Sequence, residues 1–334
     1  MGNKKKSKKA ILVLPVEIII EILLKLPVIS LLRCKSVCES WYSLISDRHF
    51  IKRHYSLSST NINCEHHRLI TIPWEQRNNL NSFPLSDLML DINNVLELDN
   101  PLQRTQPRDL SIVGCCNGLI CLFLNNDDDY NLFIYNPSTR IWNGLPFRRR
   151  KSRRGWHARY SFGYDESSDD YKVVEMSSNF EAEFKTDSRV HIYSVKTGNW
   201  KRLGDCSHAI HSNGHGKFSN GALHWLTYES LGSSFTQRIV SLDLEKETYG
   251  EVLQPEYDEG DKTLGLGVLG ERLCVLCNYR ESHADVWVMK VYGVKDSWSK
   301  LVSIPCQTDL GMHYISMPLC ISNDGKVLLG NWWK

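Results

Sequence analysis

Cys116-Asn117-Gly118-Leu119-Ile120-Cys121-Leu122, followed by Leu132-Phe133-Ile134-Tyr135-Asn136-Pro137-Ser138-Thr139-Arg140-Ile141-Trp142, is the stretch on which the fold turns. Short apolar runs alternate with turn-forming Asn-Gly and Asn-Pro-Ser-Thr segments, the pattern of antiparallel strands joined by tight turns. The same succession recurs downstream. Asp170-Tyr171-Lys172-Val173-Val174 precedes Val190-His191-Ile192-Tyr193 and a turn through Gly198 to Trp200. Asn220-Gly221-Ala222-Leu223-His224-Trp225-Leu226 precedes Ile239–Leu244 and Tyr249. Gly270–Leu276 precedes Val286-Trp287-Val288-Met289 and Trp298, and a fifth, incomplete copy opens at Asn323-Asp324-Gly325-Lys326-Val327-Leu328-Leu329. The aromatics Trp142, Trp200, Tyr249 and Trp298 lie 58, 49 and 49 residues apart. A period near 50 with about four strands per unit is that of propeller blades, each of which exposes a sheet face until a neighbour covers it.

Upstream the texture changes. Residues 14–53 read as short helices between breakers: Pro15 opens the first, with Ile18, Ile19, Ile22, Leu23 and Leu26 at helical spacing and Glu17, Glu21 and Lys25 as the polar stripe. Pro27 ends it. Ser30 is expected to cap a second helix, Leu31–Val37. A third places Val37, Trp41, Leu44 and Ile45 on one face, and Asp47 is expected to cap a last turn towards Phe50 and His54. Ile20 and Leu24 widen the apolar surface of the first helix beyond one face. A unit of about 40 residues does not bury that much by itself, so the following domain or a partner protein must cover it.

The run Leu14-Pro15-Val16-Glu17-Ile18-Ile19, then Ile22 to Val28, Leu31 to Cys38 and Trp41, resembles an F-box. That resemblance implies docking on a Skp-type linker protein, and through it indirectly on a cullin. The implied linker-binding residues are Leu14, Pro15, Ile18, Ile22, Leu23, Leu26, Pro27, Leu31 and Leu32, with Val37 and Trp41 holding the helices together and lining the contact's edge. Cys116–Leu122, the Asn136–Thr139 turn and Phe162-Gly163-Tyr164-Asp165 leading to Val174 likewise resemble the F-box-associated, kelch-like region of plant F-box proteins, in texture also the S-locus ones. The double glycine of strict kelch repeats is absent, so kelch-like is the reading. The expected architecture is a small all-α, three-helix module at residues 11–55 and an all-β, propeller-like domain of four-stranded repeats at 110–334, its last repeat incomplete. Residues 1–10 are a basic arm. Residues 56–109 connect the two, and strands near Arg68–Ile72 would close the ring.

Charge and cysteine content set bounds. The net charge of +2 conceals two basic runs, Lys4–Lys9 and Arg148–Arg154; without these eleven cations the chain stands at −9. Lys4–Lys9 reads as a solvated arm in preference to a weak nuclear-import signal. Lys6 stands where a myristoylation signal needs Ser or Thr. Eleven cysteines without framework spacing point to a reduced protein of the cytoplasm, the nucleus or both. No apolar run approaches the roughly 18–20 residues that cross a bilayer, so no membrane partner is expected.

No catalytic residue, cofactor or metal site is expected. Cys274-Val275-Leu276-Cys277 has C-x-x-C spacing, but within a strand residues three apart face opposite sides. Cys34 and Cys38 lack a His partner; His208, His211 and His215 lack a fourth ligand; Asn125–Asp129 lacks the glycine and glutamate of a calcium loop. No phosphate loop, nucleophile elbow or paired-cysteine zinc pattern is present, so any part in ubiquitination is by proximity.

The function implied by the two resemblances is substrate recognition for a Skp–cullin–F-box ubiquitin ligase, with the β-domain binding an unknown protein target. Arg148, Arg149, Arg150, Arg153 and Arg154 with Trp156 are the expected target-binding residues, because clustered cations steer an acidic partner. Nucleic acid is not expected, since aromatic interleaving and a recognised fold are lacking. Ser207–Gly216 and Glu256–Lys262 are further candidate loops. The alternatives are a scaffold or decoy that binds the linker without presenting a substrate, and, least supported, a propeller enzyme.

Overall fold

The computed structural model describes residues 14–59, 67–73, 79–85, 95–98, 109–125, 130–146, 156–179, 188–204, 214–231, 234–279, 282–305, 318–321 and 327–329. The chain divides into two compact units, one of residues 1–68 and 84–86, the other of 69–83 and 87–334.

The first unit is helical: α1 (Val16–Leu24), α2 (Val28–Cys34), α3 (Glu39–Ser46) and α4 (Arg48–Ser59). Pro15 and Pro27 stand at the N-caps of α1 and α2, where a missing N–H costs nothing. The second helix therefore starts at Val28 rather than after a Ser30 cap, because Leu31 N–H already bonds the Pro27 carbonyl at 3.0 Å. Asp47 does cap α4: its Oδ1 accepts from His49 and Phe50 N–H at 2.9 and 3.1 Å. That element is a twelve-residue helix, so the described residues of the module hold four helices where three and a turn are expected. Leu23, Leu24, Leu31, Ile45 and Phe50 form its core.

The second unit is all antiparallel β. Four meanders of four strands follow one another: β4 (Asp109–Cys116) to β7 (Ile141–Leu145) through β5 (Leu119–Asn125) and β6 (Tyr130–Asn136); then β8 (Trp156–Asp165), β9 (Asp170–Asn179), β10 (Ser188–Ser194) and β11 (Asn199–Arg202). The third has β12 (Lys217–Ser219), β13 (Ala222–Leu231), β14 (Ser234–Asp243) and β15 (Tyr249–Val252); the fourth β16 (Thr263–Leu269), β17 (Arg272–Tyr279), β18 (His283–Met289) and β19 (Trp298–Pro305). In three of the four meanders the first and second strands join through two-residue turns with positive φ, at Asn117-Gly118, Asn220-Gly221 and Gly270-Glu271, the geometry that matches strand twist. First strands lie innermost, β8 beside β4 and β12, and β12 beside β16. Gly163 and Gly216 permit that approach: a Cβ on Gly163 would stand 2.5 Å from the Phe218 ring, and one on Gly216 2.6 Å from Trp225.

Each blade buries both faces. In β5, Ile120, Leu122 and Leu124 pack backwards with Leu80 and Leu98, while Cys121 packs forwards with Tyr160, Phe162 and Val173 of the second blade. Second meets third through Val174, Ile192, Leu223 and Trp225; third meets fourth through Ile239, Val252, Val275 and Trp298. The recurring aromatics staple these contacts. Trp200 Nε1 donates to the Pro146 carbonyl (2.9 Å), Tyr249 Oη to that of Gly204 (3.4 Å) and Trp298 Nε1 to that of Leu253 (2.8 Å). Each reaches the segment that ends the preceding blade.

Shorter sheets stand at the two ends of the unit. β1 (Arg68–Thr71), β2 (Leu80–Pro84) and β3 (Leu96–Leu98) form their own three-stranded sheet, and β20 (Pro318–Ile321) pairs with β21 (Val327–Leu329). Among the described residues Arg68–Thr71 pairs within that three-stranded sheet, and Ile70 and Ile72 pack on the apolar face of the first blade.

Candidate functional site

Helix α1 reads VEIIIEILL, with Glu17 and Glu21 as its only polar residues. Leu23 and Leu24 turn inward, 1% and 3% exposed. The rest of its apolar surface cannot follow, because one helix face is all that a small core accepts. Ile18 and Ile22, one turn apart, remain 47% and 49% exposed, beside Leu14 at 53% and Val16 at 56%. The first turn of α2 adds Val28 and Ile29, at 37% and 62%. Six large apolar side chains within residues 14–29 therefore meet solvent. An apolar surface of this density on a folded module marks a protein contact.

The scaffold under this face is pinned. Arg53 Nη2 pairs with Glu21 Oε1 at 2.5 Å, and a His54 ring nitrogen lies 2.8 Å from the Leu26 carbonyl. Both join α4 to α1 or its end, holding the polar edge of α1 away from the apolar side.

Of the expected linker-binding residues, Leu14, Pro15, Ile18, Ile22 and Pro27 are exposed, and Leu26 and Leu32 half-buried. Leu23 and Leu31 lie instead in the module's core, since their side of each helix meets Ile45 and Phe50. Trp41 packs on that core. Val37 follows α2 and is 62% exposed, so it does not hold the helices together. Val16, Val28 and Ile29 are exposed as well, Val16 on another side of α1 from Ile18 and Ile22; the narrow polar stripe of α1 is the sequence signal for its surplus apolar surface.

In the β-unit, Arg148, Arg149, Arg150, Arg153 and Arg154 lie outside the described residues, and Trp156 begins β8. His208 and His211 are also outside. His215 is a structural pin, its Nδ1 2.8 Å from the Tyr160 carbonyl, with burial lowering its pKa. Cys274 and Cys277 are both fully buried in β17; burial pushes the Cys274 thiol up to about 12 and raises that of Cys277. Thiols so held are poor nucleophiles and poor metal ligands at neutral pH. Cys38 is exposed, its pKa lowered by the Ser40 hydroxyl at 3.1 Å. Loop 256–262 is described and exposes acidic side chains beside β17 and β18. No helix among the described residues is long and apolar enough to cross a membrane.

Comparison with known proteins matches residues 11–57 to the F-box-like family model and residues 61–331 to that of the F-box associated beta propeller domain. F-box protein CPR1 of Arabidopsis thaliana is 31% identical over 95% of this chain and 79% of its own length. An F-box/kelch-repeat protein of the same plant is 34% identical over 95% of this chain and 84% of its own.

Proposed function

Because the chain belongs to the plant F-box proteins with an F-box-associated β-propeller domain, whose members generally act as non-enzymatic substrate adaptors of Skp–cullin–F-box ubiquitin ligases, we propose that α1 and α2 dock a Skp-type linker and the β-domain holds a protein target. The observation that carries this reading is the exposed apolar surface of the two helices, with Leu14, Ile18 and Ile22 along one side of α1 and Val16, Val28 and Ile29 exposed besides. Pro15, Leu26, Pro27 and Leu32 frame it. Leu23 and Leu31 act by shaping the core beneath. The linker bridges to a cullin, and the adaptor raises the local concentration of the target's lysines near the conjugating enzyme. The target is a protein taken up by loops of the β-domain, with the Arg148–Arg154 run favouring an acidic surface. The setting is cytoplasmic or nuclear.

The test is co-purification of wild type and an Ile18→Glu/Ile22→Glu variant with a Skp-type linker and cullin. Placing two charges at the centre of an apolar contact should cost several kcal/mol. Both side chains are about half exposed, so the variant keeps its circular dichroism. Linker and cullin bound by wild type and lost in the variant support the proposal. Linker without cullin favours a decoy. A linker bound equally by both proteins removes this face from the interface.

A further inference from the structure

Loop 256–262 folds against the end of the β17–β18 hairpin and leaves a cleft of about 500 Å³, lined among others by Asp258, Asp261, Tyr279, Ser282 and His283. Donor atoms of Asp258, His283 and Asp285 lie within 4.8 Å of one another. His283 and Asp285 are two apart in β18 and share a face, while Asp258 comes from the exposed loop. Asp285 distinguishes this cluster from an ordinary acidic surface. Its side chain is 0% exposed, and its Oδ1 accepts no hydrogen bond. Oδ1 faces His283 Nε2 at 3.7 Å, and Oδ2 is paired with Lys300 Nζ at 2.6 Å. The same ammonium stands 3.5 Å from Asp258 Oδ2. One internal cation thus occupies the point where the two carboxylates converge. The imidazole is already oriented: Ser282 Oγ is 2.7 Å from Nδ1, and the ring stacks on Tyr279 at 4.6 Å.

A buried carboxylate with an unused oxygen is costly unless a cation or donor satisfies it. We infer that Asp258, His283 and Asp285 form a divalent transition-metal site of the zinc class, filled when the ion displaces the Lys300 ammonium. One imidazole with two carboxylates suits zinc, whereas magnesium and calcium favour all-oxygen sets. The ion would tie loop 256–262 to the hairpin beneath it. Three protein donors leave a fourth tetrahedral position for water or for a donor from a bound protein. This inference stands independently of the adaptor reading.

The experiment is titration of the full chain with ZnCl2 by calorimetry, paired with CoCl2 absorption, because the chain's cysteines also attract zinc. One ion per chain is expected at this site, with cobalt d–d bands lacking a sulfur-to-metal charge-transfer band. Asp258→Ala lies on an exposed loop that leaves the fold intact, and His283→Ala removes the imidazole. Each should weaken binding by more than about tenfold. Lys300→Met should tighten it, since the competing ammonium is gone. Affinity unchanged in both Asp258→Ala and His283→Ala, or a cobalt spectrum of thiolate type alone, means an adventitious ion only and overturns the site.

Discussion

Replacing Lys172 by methionine keeps the aliphatic stem and deletes a charge that locks the second blade to the third. Lys172 is 7% exposed. Its Nζ lies 2.8 Å from Asp165 Oδ2, 2.5 Å from the Leu244 carbonyl and 3.8 Å from Glu247 Oε1, the last two belonging to the turn after β14. The variant leaves a buried carboxylate without its cation. Breaking such a pair costs about 3–5 kcal/mol. The lower end applies, because Ser167 and Ser168 still donate to Asp165 through their N–H and hydroxyl groups. Adding Asp165→Asn removes the orphaned charge, so the double variant should recover to within about 1 kcal/mol of wild type. Urea unfolding followed by tryptophan fluorescence measures both as midpoint shifts at unchanged slope. A Lys172→Met cost below about 1 kcal/mol, or a double variant as weak as the two single losses combined, refutes the ion-pair account. The pH dependence has a fixed sign. Burial pushes the Asp165 carboxyl up, but Lys172 and the two serines outweigh it and hold it well below the usual carboxylate range. Its contribution is therefore present above the ordinary value of 3.8 and lost as pH falls towards the depressed folded value. In Lys172→Met that loss begins at higher pH.

Trp200→Phe and Trp298→Phe should each cost at least about 1–1.5 kcal/mol in urea unfolding, because a carbonyl of the preceding blade loses its donor and the smaller ring gives up part of the packing. Tyr249→Phe, whose bond is 3.4 Å, should cost less than either; the reverse order would sink the staple account. His224 gives a second pH window. It is fully buried between the Lys217 carbonyl (3.1 Å) and Tyr292 Oη (2.8 Å), and burial lowers its pKa to about 4. The unfolded chain takes up that proton first, so stability should fall as pH drops from 6.5 towards 4. His224→Asn should flatten that part of the curve; an unchanged slope would assign the proton elsewhere.

The repeats were legible because two physical devices recur, each at three of the four meanders. Asn117-Gly118, Asn220-Gly221 and Gly270-Glu271 are the turns that positive φ demands, and Trp200, Tyr249 and Trp298 are the staples that inter-blade carbonyls demand. Both leave marks in residue type. The pairing at the ends of the β-unit left none: Ile70 and Ile72 are apolar in either arrangement, and only the packing partners decide the sheet to which they belong. The Asp258–His283–Asp285 cluster was invisible for a related reason. Its members are brought together by a loop and a strand, with the competing Lys300 on the next strand, so no local spacing announces it.

The helical module shows why apolar pattern alone does not separate core from surface. Ile22, Leu23 and Leu24 are consecutive and equally apolar, yet Leu23 and Leu24 are buried and Ile22 is half exposed. Periodicity distributes them around the axis, but the core side is fixed by Ile45 and Phe50, which lie more than twenty residues onward. Leu31→Ala and Ile22→Ala therefore fail differently. The first opens a cavity and should cost about 2–5 kcal/mol of stability, taking docking down with the fold. The second removes surface that water already reaches, so the free protein keeps its stability while linker affinity falls by about 1–2 kcal/mol. Measuring unfolding and linker binding on the same two variants separates core from contact. If Ile22→Ala destabilises the free chain as much as Leu31→Ala does, the exposed face is core and the docking surface must lie elsewhere.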